Sequence, residues 1–302
     1  MYVAVSGAGG LIGGRLVREL LAGGHEVTVL QRREAAVPQG AGSTLLPRAD
    51  GDMAALAGLG DLDAVVHLAG SPIAAGRWTA RRKLEIAQSR EDLTRRLIAA
   101  LERAGVRPRA FLSASAVGYY GPCGDEPVDE AQPPGDDFLA KVCVAWEEAA
   151  LGAADLGARV VRLRTGVVLA GAGGMLGRLR PFFRLGLGGP VGSGRQWLPW
   201  ISLDDEIGAI RMLLEEPDAE GAYNLTAPRP VRGREFARAL GEAMHRPSAF
   251  PLPAPLVRLA FGEMGESVLL AGQRAMPRRL EAQGYRFRHP ELDVALRSVL
   301  SR

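Results

Sequence analysis

The first thirteen residues, M-Y-V-A-V-S-G-A-G-G-L-I-G, restrict the fold more than any other stretch of this chain. Val3 to Val5 form a short uncharged run, as expected of a strand buried on both faces. It runs straight into Gly7, Gly10 and Gly13, then into an amphipathic segment carrying Leu11, Leu16, Val17, Leu20 and Leu21. That order is strand, glycine turn, helix. In such a turn the glycines serve a tight bend, close backbone approach to a phosphate, and close packing of helix on strand. The helix start then offers free N–H groups and a positive dipole end to a pyrophosphate. Three glycines at this spacing also arise by chance in a chain with 39 of them, so the rest of the chain has to supply the context.

That context is a β-α alternation. Gly23-Gly24 stops the first helix, and His25 to Leu30 reads as a second strand. Ser43 to Leu46 is a candidate third strand and Ala64 to Leu68 a clearer fourth, ending in the small residues Ala69 and Gly70. The apolar spacing predicts one long helix from Thr79 to Glu102, a strand at Arg109 to Ser113, a helix from Asp136 to Leu156 and a strand at Arg159 to Arg164. Alternation at this spacing predicts an α/β fold, a Rossmann-type doubly wound parallel sheet, with its ligand at the carboxyl ends of the strands. At the end of the second strand stand Gln31, Arg32 and Arg33 and no acid. An acid there would take a ribose 2′-OH; Arg32 instead suits a 2′-phosphate, which favours NADP over NAD.

Residues 1–168 are therefore expected to form a dinucleotide-binding domain, and 169–302 a smaller α/β substrate lobe, with segments around 201–226 returning to the sheet. Gly171 to Pro199 is rich in Gly and Pro, with Phe182, Phe183, Arg180, Arg184, Arg195 and Trp197 interspersed. It reads as a long irregular segment facing substrate, and its cations favour an anionic or phosphorylated ligand. A helix from about Asp204 to Glu215, a strand at Ala222 to Leu225 and a helix at Arg234 to Met244 follow.

Composition excludes more than it assigns. The net charge is only +3 and the arginines alternate with acids along helices, so no nucleic-acid groove is expected. Cys123 and Cys143 lie outside any metal spacing, the four histidines are scattered, and no metal is expected. His67 reads as a packed strand-end residue, not a base. The strand beginning at residue 2 leaves no room for a signal peptide and no apolar run reaches spanning length, so a cytoplasmic protein without membrane contact is expected.

Two further features point to a family. F-L-S-A-S-A-V-G-Y-Y-G (Phe111 to Gly121) places serines and then tyrosines just past the fifth strand, and Lys141 follows on the next helix. With the glycine turn, I-S-L-D-D (Ile201 to Asp205) and Y-N-L (Tyr223 to Leu225), the chain resembles an extended short-chain dehydrogenase/reductase of the NAD(P)-dependent epimerase/dehydratase group. It is most similar to a branch of uncharacterised epimerase-family proteins with their own C-terminal extension. The matching segments are R-W-T (Arg77 to Thr79), S-R (Ser89-Arg90), R-T-G-V-V-L (Arg164 to Leu169), P-F-F-R-L-G-L-G-G-P-V-G-S-G-R-Q (Pro181 to Gln196) and G-Q-R-A-M-P-R-R-L (Gly272 to Leu280).

In the wider family a Ser, a Tyr and a Lys four residues after that Tyr surround the nicotinamide, and the Lys helps a phenol of pKa about 10 act near neutrality. The resemblance assigns Ser115 and Lys141 to the first and last roles; the Tyr slot holds Asp137. An ordinary Asp has no proton to give at pH 7, so Asp137 reads as an exposed or helix-starting carboxylate. Tyr119 or Tyr120 is left to supply the phenol, with Tyr119 four residues after Ser115. For the cofactor, the resemblance implies Gly7, Gly10, Leu11, Ile12 and Gly13 at the phosphates and Arg32 at the 2′-phosphate. Leu68, Ala69 and Gly70 fall over adenine and ribose, Glu85 and Arg90 on a helix facing the site, and Val168 beside the nicotinamide. The expected function is an NADP(H)-dependent oxidoreductase or epimerase acting on a small carbonyl, alcohol or sugar-like substrate, as monomer or homodimer. The alternative is an NADP-binding sensor or interaction protein of the cell- or organelle-division type, without turnover.

Overall fold

The computed structural model describes residues 1–31, 36–45, 56, 58–60 and 62–301. Seven uncharged or alternating runs pair into one sheet: β1 (Tyr2–Ser6), β2 (Glu26–Gln31), β3 (Gly42–Leu45), β4 (Ala64–His67), β5 (Ala110–Ala116), β6 (Arg159–Thr165) and β7 (Gly221–Leu225). Their order is β7-β6-β5-β4-β1-β2-β3, and every neighbouring pair is parallel. The order reverses between β1 and β4, where Val5 pairs with Val29 on one side and Val66 on the other. At such a switch point the flanking connections leave to opposite faces and open a crevice at the carboxyl ends of the strands.

Side-chain alternation sends Val3 and Val5 to one face, where α1 (Leu11–Ala22) covers them with Leu16, Val17 and Leu20. Ala4 faces the other side with Val65 and Phe111, under Leu97 and Leu101 of one further helix and Ala150 of another. Each of these fully buried Leu or Val side chains contributes about 1.5–3 kcal/mol by leaving water.

The expected helix from Thr79 to Glu102 is two helices, α2 (Ala80–Gln88) and α3 (Glu91–Arg103). The ladder fails at Ser89-Arg90 because side chains take the carbonyl it needs: Ser89 Oγ and Arg90 Nη1 donate to Ile86 O at 3.0 and 3.1 Å. The expected Asp136 to Leu156 helix is α4 (Phe138–Leu151) followed by a tighter 3₁₀ segment, Gly152–Leu156. Within Gly171 to Pro199 the chain is not irregular throughout, because Gly174–Arg184 forms α5. Leu176, Leu179 and Phe183 stand at i, i+3 and i+7 and pack inward, enough to hold a helix despite Gly177 and Pro181.

Further helices include α6 (Leu203–Glu215), lying beside α1 on the sheet, α7 (Gly233–Met244), α8 (Ala254–Phe261), α9 (Arg278–Ala282) and α10 (Leu292–Leu300). A separate core of Leu169, Leu176, Phe183, Trp200, Phe236, Leu240 and Leu296 joins α5, α7 and α10. The last stretch of chain returns to the sheet. Arg274-Ala275 pairs with Pro127-Val128, Asn224 Nδ2 donates to Met276 O (2.9 Å), and buried Asp205 accepts from Arg288 N (2.6 Å) and His289 N (3.0 Å).

Candidate functional site

The turn after β1 is built for glycine. Gly7 has φ +78°, and a Cβ on it would stand 2.7 Å from Leu68 C. A Cβ on Gly13 would stand 2.4 Å from Gly7 O, so α1 packs on the turn only without a side chain there. Gly10 is the N-cap of α1, with no side-chain cap and no acid in the first turn. The helix start therefore keeps N–H groups that no side chain satisfies, next to a positive dipole end. A Cβ-free cradle with free donors fits the diphosphate of a dinucleotide.

From this turn a cavity of about 480 Å³ runs along the strand ends. Leu68 and Val168 wall its near part; Ala114 to Gly118 form its floor. Leu139, Val142, Cys143 and Trp146 of α4 make one side, and Trp197, Leu198, Val268 and Gln273 of the C-terminal half close the other. Of the residues expected around a cofactor, Gly7, Gly10, Leu11, Ile12, Gly13, Leu68, Arg90 and Val168 all line this cavity. Ala69 and Gly70 stand outside the lining, Gly70 backing Arg90 so closely that a Cβ would lie 3.5 Å from its Cζ. Glu85 is exposed outside the wall, accepting from Ser71 Oγ (3.1 Å) and paired with Arg82 (2.7 Å). Arg32 and Arg33 lie outside the described residues.

Arg90 is the cation of the cavity. Its guanidinium lies 5.1 Å from the Trp146 ring centroid, and burial holds its pKa below the usual arginine value. Among the described residues no carboxylate pairs with it, which leaves it for an anionic group of a ligand. The arginines expected to face substrate do not. Arg180 donates to Gly171 O, Arg184 and Arg195 are exposed, and none of the three lines the cavity.

The expected catalytic set does not converge. Ser115 lines the cavity, but its hydroxyl donates to Glu147 Oε1 at 2.7 Å. Lys141 is exposed: the cavity face of α4 carries positions 139, 142, 143 and 146, and 141 falls on the opposite side at 100° per residue. Tyr119 stacks under the Arg164 guanidinium (3.4 Å to the ring centroid) and faces a different cavity. Tyr120 donates to Asn224 Oδ1 (2.6 Å) and accepts from Arg164 (3.0 Å), and burial pushes its phenol up to about 12. Asp137 caps α4, accepting from Ala140 N at 2.8 Å, so the helix-start reading of this residue is the one the structure carries.

Two residues the sequence reading gave no role organise this region. Buried Glu147 receives Arg164 on both oxygens (Nε 2.8 Å, Nη2 2.9 Å) as well as Ser115. An acid on the apolar face of a helix was the available signal, but its partners lie 17 and 32 positions away in sequence. On the other wall, Thr165 Oγ1 donates to buried Glu206 Oε1 (2.8 Å), and burial pushes that carboxyl to about 8. His67 is fully buried, its Nδ1 2.6 Å from Ser6 Oγ, and burial lowers its pKa to about 4. Among the described residues no three metal-ligating side chains converge, and no helix is long and apolar enough to cross a membrane.

Residues 3–226 match the model of the NAD dependent epimerase/dehydratase family, and 252–299 match a domain of unknown function, DUF1731. An epimerase family protein of Mycobacterium bovis, Mb2239, is 45% identical over 294 residues, covering 97% of this chain and 96% of the relative. A crystal structure of human epimerase family protein SDR39U1 with NADPH superposes with a TM-score of 0.89 at 36% identity, covering 100% of this chain and 99% of that one. A Thermus thermophilus UDP-glucose 4-epimerase in complex with NAD shares the fold at a TM-score of 0.78 and 22% identity, covering 100% and 98%. The chain belongs to the NAD dependent epimerase/dehydratase family.

Proposed function

We propose that this protein is an NADP(H)-dependent oxidoreductase acting on a small, uncharged carbonyl or alcohol. The observation that carries the reading is that the glycine turn and a mostly apolar, tryptophan-lined space share one cavity, with Ser115 and Arg90 among its few polar groups. The human relative crystallised with NADPH supports the choice of cofactor. When bound, the cofactor supplies a hydride donor or acceptor. Gly7, Gly10 and Gly13 would seat its diphosphate, Arg32 is the residue that the sequence offers for the 2′-phosphate, Leu68 and Val168 would flank it, and Arg90 would provide a half-buried positive charge. Ser115 and Glu147 replace the phenol and ammonium of the wider family. A bound alcohol passes its proton to Ser115 Oγ as the Ser115 proton moves to Glu147, and reduction runs the same transfers backward.

Calorimetry with NADPH, followed by cofactor absorbance against a panel of small carbonyls, tests this. Tight NADPH binding with oxidation by a panel member, lost in Glu147→Gln, is expected. Absence of NADPH binding would overturn the reading altogether. A second reading is favoured by one specific observation: among the described residues neither a phenol nor an ammonium lines the cavity. It makes the protein an NADP-binding sensor without turnover, and tight NADPH binding that no carbonyl discharges is its outcome.

A further inference from the structure

A second cavity, of about 540 Å³, shares no lining residue with the first. Four guanidiniums line it: Arg162 and Arg164, which alternate onto one face of β6, and Arg278 and Arg279 at the start of α9. Their counter-charges are short of the demand. Glu147 takes Arg164 in two bonds and is left with a long 3.3 Å contact to Arg162 Nη1, while Arg162 Nε is buried with no partner. The Arg279 guanidinium donates to Ala222 O (2.8 Å) and to the Tyr223 hydroxyl (3.2 Å), and among the described residues no carboxylate pairs with it. Among the described residues Arg278 reaches only Glu281, at 3.4 Å across an exposed turn.

The two acids that line the cavity are committed to backbone. Glu130 Oε1 accepts from Asn224 N (3.0 Å) and Arg279 N (3.4 Å), and Asp129 Oδ1 accepts from Ala131 N (3.0 Å). Burial also holds the Glu130 carboxyl above its usual pKa, which weakens it as a counter-ion. Guanidiniums with open donors, converging from a strand and a helix start on an open cavity, are suited to bidentate recognition of an oxyanion.

We propose that this second cavity binds a phosphate group, free or as a small monoester, with Arg162, Arg278 and Arg279 as its donors. Glu147 makes the site reach the cleft, because the carboxylate that holds Arg162 also accepts the Ser115 hydroxyl. Phosphate therefore competes for Arg162 with Glu147, the group that positions Ser115, and the coupling must act in both directions.

The test is calorimetry of the full chain saturated with NADPH, so that the glycine turn is already filled, titrated with inorganic phosphate and, separately, with glycerol phosphate at constant ionic strength. A saturable heat with either probe is expected, and the tighter of the two identifies free phosphate or ester as the source. Arg278→Ala, an exposed change that spares folding, should weaken the Kd about tenfold, and Arg162→Gln should weaken it at least as much. No saturable heat with either probe overturns the site. Undiminished binding in the Arg162→Gln, Arg278→Ala double variant overturns it as well, by placing the anion elsewhere. Should the chain prove not to bind NADPH, phosphate binding lost in Arg278→Ala still supports this site, and binding untouched by that change counts against it.

Discussion

The Ser115 hydroxyl donates to Glu147 Oε1 at 2.7 Å, reaching from the cleft to a carboxylate that Arg164 holds on both oxygens. Removing the acid leaves a guanidinium buried without its counter-ion. Glu147→Gln is therefore expected to lower stability by about 3–5 kcal/mol, whereas Ser115→Ala, which deletes one donor, should cost about 1 kcal/mol. Urea unfolding of both variants checks the ratio. Equal costs would mean that Glu147 is not the centre of this network.

Gly13 leaves no space for a methyl group: a Cβ would stand 2.4 Å from Gly7 O. Gly13→Ala should push α1 off the turn, weakening NADPH binding at least tenfold and lowering the melting temperature. Gly9 is the control, because a Cβ there meets nothing within 4 Å, so Gly9→Ala should fold normally. Isothermal titration of the two variants separates a spoiled phosphate seat from general damage.

Lys141 faces solvent on the side of α4 away from the cavity. Lys141→Met is expected to leave stability within about 0.5 kcal/mol of the parent and NADPH affinity unchanged. A large loss of cofactor affinity in this variant would put the lysine back at the ribose.

Two buried groups give stability a predictable pH profile. His67, lowered from 6.5 to about 4, stays neutral in the folded chain, so the unfolded chain binds the extra proton between those values and stability rises with pH across them. Glu206, raised from 4.5 to about 8, stays protonated when folded; its contribution is complete below 4.5 and is lost as pH climbs to 8. The two slopes oppose each other from pH 4.5 to 6.5, and above 6.5 only the Glu206 decline remains. The unfolding free energy from urea titrations should fall by about 2 kcal/mol between pH 6.5 and 8 and stay level in Glu206→Gln.

The sheet and its ligand end were readable because each strand is a local apolar or alternating run and the turn after β1 is marked by glycines within seven residues. Eight of the twelve expected cofactor positions line one cavity, most of them on the glycine turn, whose place follows from local sequence. Side-chain direction did not carry over. Lys141 stands on the side of α4 opposite the cavity, and that rotation depends on how α4 packs, not on the residue's type. The break between α2 and α3 was hidden because it is made by Ser89 and Arg90 competing for Ile86 O, with no glycine or proline to mark it. Glu147, Arg164 and Ser115 meet only once β5, β6 and α4 are assembled.

The returning stretch has a consequence for folding. Asp205 belongs to the helix beside α1, yet two of the amides that satisfy its buried carboxylate come from Arg288 and His289, 83 and 84 positions further along. The nucleotide half is thus completed by a segment that follows it. Deleting the chain from Arg288 onward would strand that carboxylate beside the very helix that begins at Leu11, so the damage would surface far from the cut.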